Sequence, residues 1–208
     1  MLHADAWLVA IDKPSGLLSV PGRGPDKAHC AAAWVQARYP DALVVHRLDM
    51  GTSGVLVFGR GAAVQRALSV AFASRQVHKL YLARVAGHPA AASGRITLPL
   101  SCDWPNRPRQ QVDTLHGKPS VTGWRRLQAL PGPVPTARLA LRPLTGRSHQ
   151  LRVHLQEIGH PILGDELYAP PDVQALAPRL LLHAHRLRLR HPADGRWLTL
   201  QAPCPSSF

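Results

Sequence analysis

The sequence HRLDMGTSGVLVFGR at residues 46–60 decides the fold, and it places one carboxylate inside a loop. Asp49 follows a basic His-Arg-Leu step and precedes a Gly-Thr-Ser-Gly turn. The apolar run 43–45 enters this loop and the run 55–58 leaves it, which predicts a loop held between two strands. A site that needs accurate placement requires such a rigid backbone. These residues alone leave open a simpler alternative, in which Asp49 caps a turn and Arg47 is a solvated charge.

The charge of the chain indicates a polyanionic partner. The sequence contains 21 Arg and 4 Lys against 12 acidic residues, which gives a formal net charge of +13. A GC-rich genome would favour Arg over Lys, but it would not explain the deficit of acids. We therefore expect the partner to be a nucleic acid.

Length, cysteine content and hydropathy indicate the size of the core and the compartment of the protein. A chain of 208 residues can bury a substantial core without cross-links. Cys30, Cys102 and Cys204 are odd in number and widely spaced, which predicts free thiols in a reducing compartment. The N-terminal residues lack the pattern of a signal peptide, and no window approaches the roughly 18 apolar residues of a membrane span. We expect a cytoplasmic protein with no membrane contact.

Hydrophobic periodicity predicts an α+β fold. It indicates helices over 28–39, 62–73 and 149–158, the last capped by Ser148, and strands over 7–11, 55–58, 80–85, 121–127, 136–141, 180–182, 187–189 and 197–201. A turn at 131–133 joins two of these strands into a hairpin. Residues 101–118 show neither period and are predicted to be an irregular RNA-facing segment, with a floppy insertion as the alternative. Many strands, few helices and no βαβ alternation favour a largely antiparallel sheet.

Several motifs in a fixed order give the chain a family resemblance. Beside HRLD at 46–49 and TSG at 52–54, the chain contains DKPSG at 12–16, KLYLARV at 79–85, GRSHQLRVHL at 146–155 and GHPILGD at 159–165. This set resembles the RluA-type pseudouridine synthases and spans nearly the whole chain. Three more segments resemble the family member that acts on both rRNA and tRNA: LLSVPGR at 17–23, CDWPNRP at 102–108 and APRLLLHA at 177–184.

The resemblance implies both a fold and an activity. The implied fold is a long, mixed, mostly antiparallel sheet with flanking helices and a central RNA-binding cleft. It would form a single catalytic domain over residues 1–208, without the N-terminal S4-like domain of many members. The implied reaction isomerises uridine to pseudouridine in stem-loops of 23S rRNA, of the tRNA anticodon arm, or of both, and an rRNA-only or tRNA-only enzyme is the alternative. No metal, nucleotide or redox cofactor is implied, and we expect a monomer.

By the same resemblance, Asp49 is the catalytic carboxylate. It could attack C1′ or C6, or take the 2′ proton to form a glycal, and the sequence leaves these routes open. A carboxylate in a water-poor pocket needs a cation to stay ionised. The HQLR motif assigns that cation to Arg152, whose guanidinium can pair bidentately. The alternative is that Arg152 is one of many solvent-facing arginines on a helix.

Other positions are carried over from the family motifs as contacts to the RNA. Tyr81 would stack on the uracil and could help to remove the C5 proton, although a phenol with a pKa near 10 is a poor base, and a purely structural Tyr is the alternative. Arg47 would fill the place that the flipped nucleotide vacates, or would contact a phosphate. Further candidates for RNA binding or support of the site are His46, Arg107, Arg109, Arg147, His149 and Gln150.

Two other functional classes compete with this hypothesis. A non-catalytic RNA-binding or ribosome-assembly protein would be favoured by loss of Asp49, Tyr81 or Arg152, but all three are present. Twelve histidines suggest a metal-dependent hydrolase, with a candidate cluster of His149, His154, His160, His183 and His185. Because the sequence has no HExxH and no cysteine or acidic partner at ligand spacing, no metal is expected.

Overall fold

The computed structural model describes residues 1–24, 27–132, 134–206 and 208. In chain order the elements are β1 (His3–Ala4), β2 (Leu8–Lys13), α1 (Ala31–Gln36), β3 (Ala42–Val44), β4 (Ser53–Arg60), α2 (Ala62–Ala73), β5 (His78–Ala86), β6 (Ser93–Thr97), β7 (Leu100–Cys102), β8 (Gln110–Val112), β9 (Val121–Leu130), β10 (Thr136–Pro143), α3 (Gln150–Glu157), α4 (Pro171–Gln174), β11 (Leu182–Arg190) and β12 (Trp197–Gln201). They fall into two compact units, one of residues 1–79 and 184–203 and the other of residues 80–183 and 204–208.

The first unit is a sheet covered by α2. Its strands follow the order β1-β2-β4-β11, with β3 beside β4 and β12 beside β11. The pairs β1·β2, β2·β4, β3·β4 and β11·β12 are antiparallel. Alternate residues of the strands pack against the apolar stripe of α2 in one core, which includes Leu8, Val55, Val57, Val64, Leu68, Leu187 and Leu189.

Strand β4 is buried on both faces, which explains its nearly continuous apolar sequence. It begins directly after the Asp49 loop, and Gly54 lies at this junction with φ +110°. A Cβ atom at this position would come within 2.3 Å of the Ala184 carbonyl oxygen. Only glycine fits so close to the neighbouring backbone, so this contact fixes where the loop ends and the strand begins.

The second unit is an antiparallel sheet in the order β5-β10-β9-β6, with α3 packed on it. Its core combines Leu82, Val85, Leu139, Leu141, Leu151, Leu155, Ile162 and Leu163. Residues 150–155 of α3 are all buried, polar ones included. Strands β7 and β8 form a separate two-stranded sheet.

The predicted α+β class is confirmed, and α2 has the predicted bounds. The region 101–118, predicted as irregular, instead contains most of the β7–β8 hairpin, whose residues 101–102 and 110–112 are half-buried or exposed and so show no apolar period. The strands 180–182 and 187–189, predicted to be separate, are replaced by one strand, β11, which begins only at Leu182. The turn prediction at 131–133 includes Pro133, which lies outside the described residues.

Two helix boundaries differ from the predictions for local reasons. The first helix covers only Ala31–Gln36, because the Cys30 Sγ accepts a hydrogen bond from the Ala33 N–H and caps it. Ser148 is not the cap of α3, since His149 occupies the N-cap in the left-handed conformation at φ 52°. None of the helices in the described ranges is long and apolar enough to cross a membrane.

Candidate active site

The Asp49 loop in the first unit is held through Leu48. The Ser19 hydroxyl donates to the Leu48 carbonyl oxygen at 2.7 Å and accepts from the Leu48 N–H at 3.0 Å. Both residues are buried, so a single hydroxyl satisfies both backbone groups of Leu48. The Thr52 N–H donates to the Asp49 carbonyl oxygen and closes the turn after the carboxylate. The predicted rigid loop is therefore present, and the half-buried Asp49 side chain extends from it.

Lys13 joins the DKPSG motif to the same loop. Its side chain is fully buried, and its Nζ donates to the carbonyl oxygens of Pro14, Leu17 and Met50 at 2.9, 2.6 and 3.1 Å. Burial lowers the pKa of the Lys13 ammonium to about 8, while the Asp49 carboxylate acts to raise that pKa. Lys13 thus supplies a positive charge near Asp49 as well as a structural link.

The two basic residues before Asp49 have different surroundings. The Nε2 of His46 accepts a hydrogen bond from the Val57 N–H at 3.1 Å, and its ring stacks on Phe72 with the centroids 4.5 Å apart. Burial and the nearby Lys79 lower the pKa of His46 to about 3, so the imidazole is neutral and supports β4. Arg47 is exposed, as a residue that contacts RNA should be. The RNA contacts of both residues stay predictions.

In the second unit, Arg152 forms a buried ion pair with Asp165. The guanidinium Nε and Nη2 donate to the two carboxylate oxygens at 2.8 and 2.6 Å, and both side chains are almost completely buried. The same carboxylate accepts from the N–H groups of Leu167 and Tyr168. Arg152 is therefore not a solvent-facing arginine, and its predicted pairing with Asp49 stays a prediction.

Tyr168 brings three of the predicted residues together. Its ring lies 5.0 Å from the Arg152 guanidinium carbon and 5.3 Å from that of Arg109. Its hydroxyl lies 2.7 Å from His149 Nδ1 and accepts a hydrogen bond from the Gln110 N–H at 2.7 Å. The buried ring therefore fixes the β7–β8 hairpin against the start of α3.

The remaining predicted residues of this unit lie around that group or on the surface. Gln150 is buried, and its amide bonds to Thr145, to Thr122 and to the backbone, which makes it a structural support of α3. Arg147 and Arg107 are exposed, with the Arg107 guanidinium 3.6 Å from the ring centre of the exposed Trp104. Tyr81 lies in β5 opposite Leu141 and packs half-buried against the core.

Sequence reasoning missed Asp165 and Tyr168. Asp165 is the only acidic residue of the GHPILGD motif at 159–165. This acidic position in a family motif could have identified it as a candidate partner for Arg152. Tyr168 follows it by three residues, and only the fold reveals that it contacts the β7–β8 segment.

Within the described ranges, the histidines at 149, 154, 160, 183 and 185 do not form a group of potential metal ligands. His154 bonds to Thr122 and to the Leu98 carbonyl, His160 to the Ala86 carbonyl and His185 to the Ala202 carbonyl. Among the described residues, the ligand-type side chains that do converge are His3, Asp5 and His191, where both rings contact Asp5 Oδ2 at 2.7 and 2.8 Å.

Residues 7–157 match the family model described as RNA pseudouridylate synthase. The chain is 50% identical over 203 residues to the dual-specificity RNA pseudouridine synthase RluA of Escherichia coli K12, an alignment that covers 98% of this chain and 92% of the relative. The Vibrio vulnificus protein of the same name is 48% identical over 207 residues, with 98% and 82% covered. The solved structure of human RNA Pseudouridylate Synthase Domain Containing 1 is similar at 27% identity and a TM-score of 0.79, covering 97% of this chain and 82% of that one.

We predict that Asp165→Asn lowers the free energy of unfolding by about 3–5 kcal/mol, because it leaves the buried Arg152 charge without its counter-ion. Urea denaturation followed by circular dichroism measures this loss. Asp172→Asn is the control, since Asp172 is exposed in the first turn of α4 and its loss should cost no more than about 0.5 kcal/mol. Equal stability of the two variants would contradict a structural role for the ion pair.

Proposed function

Because the chain belongs to the RNA pseudouridylate synthase family, we propose that it isomerises uridine to pseudouridine in stem-loops of both 23S rRNA and the tRNA anticodon arm. The observation that supports this most directly is the 50% identity to a relative named as a dual-specificity enzyme, over 98% of this chain. An enzyme restricted to rRNA or to tRNA is the alternative. The net charge of +13 suits a substrate of either kind.

In this proposal Asp49 is the catalytic carboxylate. The reaction breaks the bond between N1 and C1′, rotates the uracil and joins C5 to C1′, after which the C5 proton leaves and N1 gains a proton. Atoms and charge balance without any external oxidant or reductant. The contacts of Leu48 with Ser19 and of Lys13 with Met50 support the assignment, because they hold the backbone on both sides of Asp49.

In the proposed mechanism, Arg152 is the cation that supports the Asp49 carboxylate. Asp165 fixes the plane of the Arg152 guanidinium by accepting hydrogen bonds from Nε and one Nη. A guanidinium held in this way can orient a second carboxylate as well as stabilise its charge. Tyr81 then stacks on the uracil.

Arg47 fills the gap that the flipped nucleotide leaves, and Arg107, Arg109, Arg147 and His149 contact RNA. The exposure of Arg47, Arg107 and Arg147 supports these roles. Tyr168 supports two of the others, since Arg109 lies near its ring and His149 bonds to its hydroxyl. His46 and Gln150 act by supporting these residues from within the fold.

We further propose that the chain acts in the cytoplasm as a monomer and as a single catalytic domain that needs no added cofactor. The family chemistry supports the last point, since it rests on side chains and the substrate alone. In this proposal the enzyme selects compact stem-loops whose loop bases are already partly unstacked.

We predict that Asp49→Asn abolishes pseudouridine formation and leaves RNA affinity within about threefold of wild type. The substitution is nearly isosteric but removes both charge and nucleophilicity. Single-turnover assays on an unmodified stem-loop and a thermal unfolding curve provide the measurement. A rate within about tenfold of wild type, equivalent to ~1.4 kcal/mol of transition-state stabilisation, would contradict the role of Asp49.

We also predict that the rate falls as pH rises through about 8. Below this value Lys13 is an ammonium that donates to three carbonyl oxygens. Above it the amine is neutral, loses one donor and no longer places a positive charge near Asp49. Single-turnover rates between about pH 6.5 and 9.5 test this, and the slower Lys13→Met variant should lack the decline because it has no group to titrate. The same alkaline decline in both proteins would exclude Lys13 as its source.

The last prediction of this section concerns the substrate. The purified protein should modify short synthetic hairpins that correspond to an anticodon stem-loop and to a 23S rRNA stem-loop, without help from other proteins. Pseudouridine mapping in each hairpin provides the measurement, and Asp49→Asn is the matched inactive control. Modification of one hairpin only would establish the single-target alternative, and activity restricted to longer structured RNA would contradict stem-loop recognition.

A further inference from the structure

The outward face of the β11–β12 hairpin is a continuous basic surface. It consists of Arg186, Arg188, Arg190, Trp197, Thr199 and Gln201, which we call the arginine face. All six residues are exposed. The strand register places them in three opposite pairs: Arg186 faces Gln201, Arg188 faces Thr199 and Arg190 faces Trp197.

The alternation along β11 explains why one face is polar but not why it is basic. Leu187, Leu189 and Leu200 point into the core of the first unit, so the intervening residues must face outward. A solvated face of this kind ordinarily mixes both signs of charge. Here every charged position of the face is an arginine, and among the described residues no carboxylate forms an ion pair with any of the three.

Trp197 holds two of these arginines in place. The guanidinium carbons of Arg188 and Arg190 lie 4.4 and 4.2 Å from the centre of its ring, and Trp197 keeps 38% of its surface exposed. Arg190 Nη1 also donates to the Gly195 carbonyl. These contacts reduce the side-chain entropy that each arginine would lose on binding an anion. An ordered pair of guanidiniums beside an exposed indole is suited to a ligand of phosphates and bases.

The spacing of the face fits a nucleotide chain. Residues two apart on a strand are separated by about 6.5 Å, so the three arginines extend over roughly 13 Å. The step of about 6.5 Å between neighbouring arginines is comparable with the distance between successive phosphates along one strand of nucleic acid. A guanidinium at each step can pair bidentately with one phosphate.

We propose that the arginine face is an additional RNA-binding surface, which holds the sugar-phosphate backbone of the substrate RNA through Arg186, Arg188 and Arg190. The inference rests on the proposed function, because that function supplies an RNA partner. The face contributes affinity and takes no part in the chemistry at the uridine.

The triple variant Arg186→Gln, Arg188→Gln, Arg190→Gln tests the proposal. Its affinity for an unmodified tRNA transcript should fall about 10- to 100-fold near 0.1 M salt. The plot of log K against log salt concentration should become shallower, with the magnitude of its negative slope reduced by about 2–3. Each lost phosphate contact removes about 0.7–0.9 from that magnitude. In single-turnover assays, the protein concentration for half-maximal rate should rise in parallel, while the rate at saturation stays within about threefold of wild type.

A second triple variant with the same loss of charge separates the face from the net charge. Arg38→Gln, Arg66→Gln, Arg125→Gln removes three exposed arginines from other surfaces. It should change the affinity by less than about threefold and leave the salt slope nearly unchanged. Trp197→Leu should weaken binding only a fewfold without changing the slope, because it loosens the arginines and removes no charge.

Equal affinities and slopes for the two triple variants would overturn the proposal. Circular dichroism and thermal unfolding establish that each variant is folded. The binding readout does not depend on turnover, so its failure is distinct from failure of the proposed function. That function fails if the wild-type protein binds the transcript and forms no pseudouridine in any RNA tested.

Discussion

The geometry of the Asp49 loop depends on one buried ammonium group. Lys13 lies within the first unit without solvent contact, and three backbone carbonyl oxygens take the place of its hydration shell. An unpaired charge in such a place would be very costly, so the ammonium and the carbonyls must keep their arrangement together. The Lys13 ammonium thereby joins the DKPSG motif to Met50, which lies 37 residues further along the chain and directly follows the HRLD motif. Ser19 bonds to the same loop from the other side of Asp49, through Leu48.

The second unit uses the same physical solution for Arg152. Its buried charge is matched by Asp165, whose own remaining acceptor capacity is taken up by two backbone N–H groups. Tyr168 then extends the network to His149 and Arg109. A buried polar network of this kind is rigid, because a displacement would cost buried polar groups their partners. The residues that carry the family motifs are therefore held by buried polar contacts rather than by apolar packing alone.

Local pattern was sufficient to predict the elements that bury a regular apolar face, and α2 and β4 are the best examples. It failed for β7 and β8, because their residues beyond Leu100 are half-buried or exposed and so show no apolar alternation. The backbone hydrogen bonds between the two strands define them instead. In the site, the loop around Asp49 was predictable because its motif is continuous in sequence. The role of Tyr168 was not, since its hydroxyl bonds to the backbone of Gln110, 58 residues away. Contacts over such separations leave no local signal.

The neutral His46 makes the stability of the fold depend on pH. The imidazole of an unfolded chain takes up a proton near pH 6.5, whereas the folded ring, accepting from Val57 and stacked on Phe72, does so only near pH 3. Between these values the unfolded chain binds more protons than the folded one, so unfolding consumes a proton. Mild acid therefore lowers the free energy of unfolding through the protonation of this single ring. Protonation of Nε2 would also break the hydrogen bond from Val57, in the strand that follows the Asp49 loop.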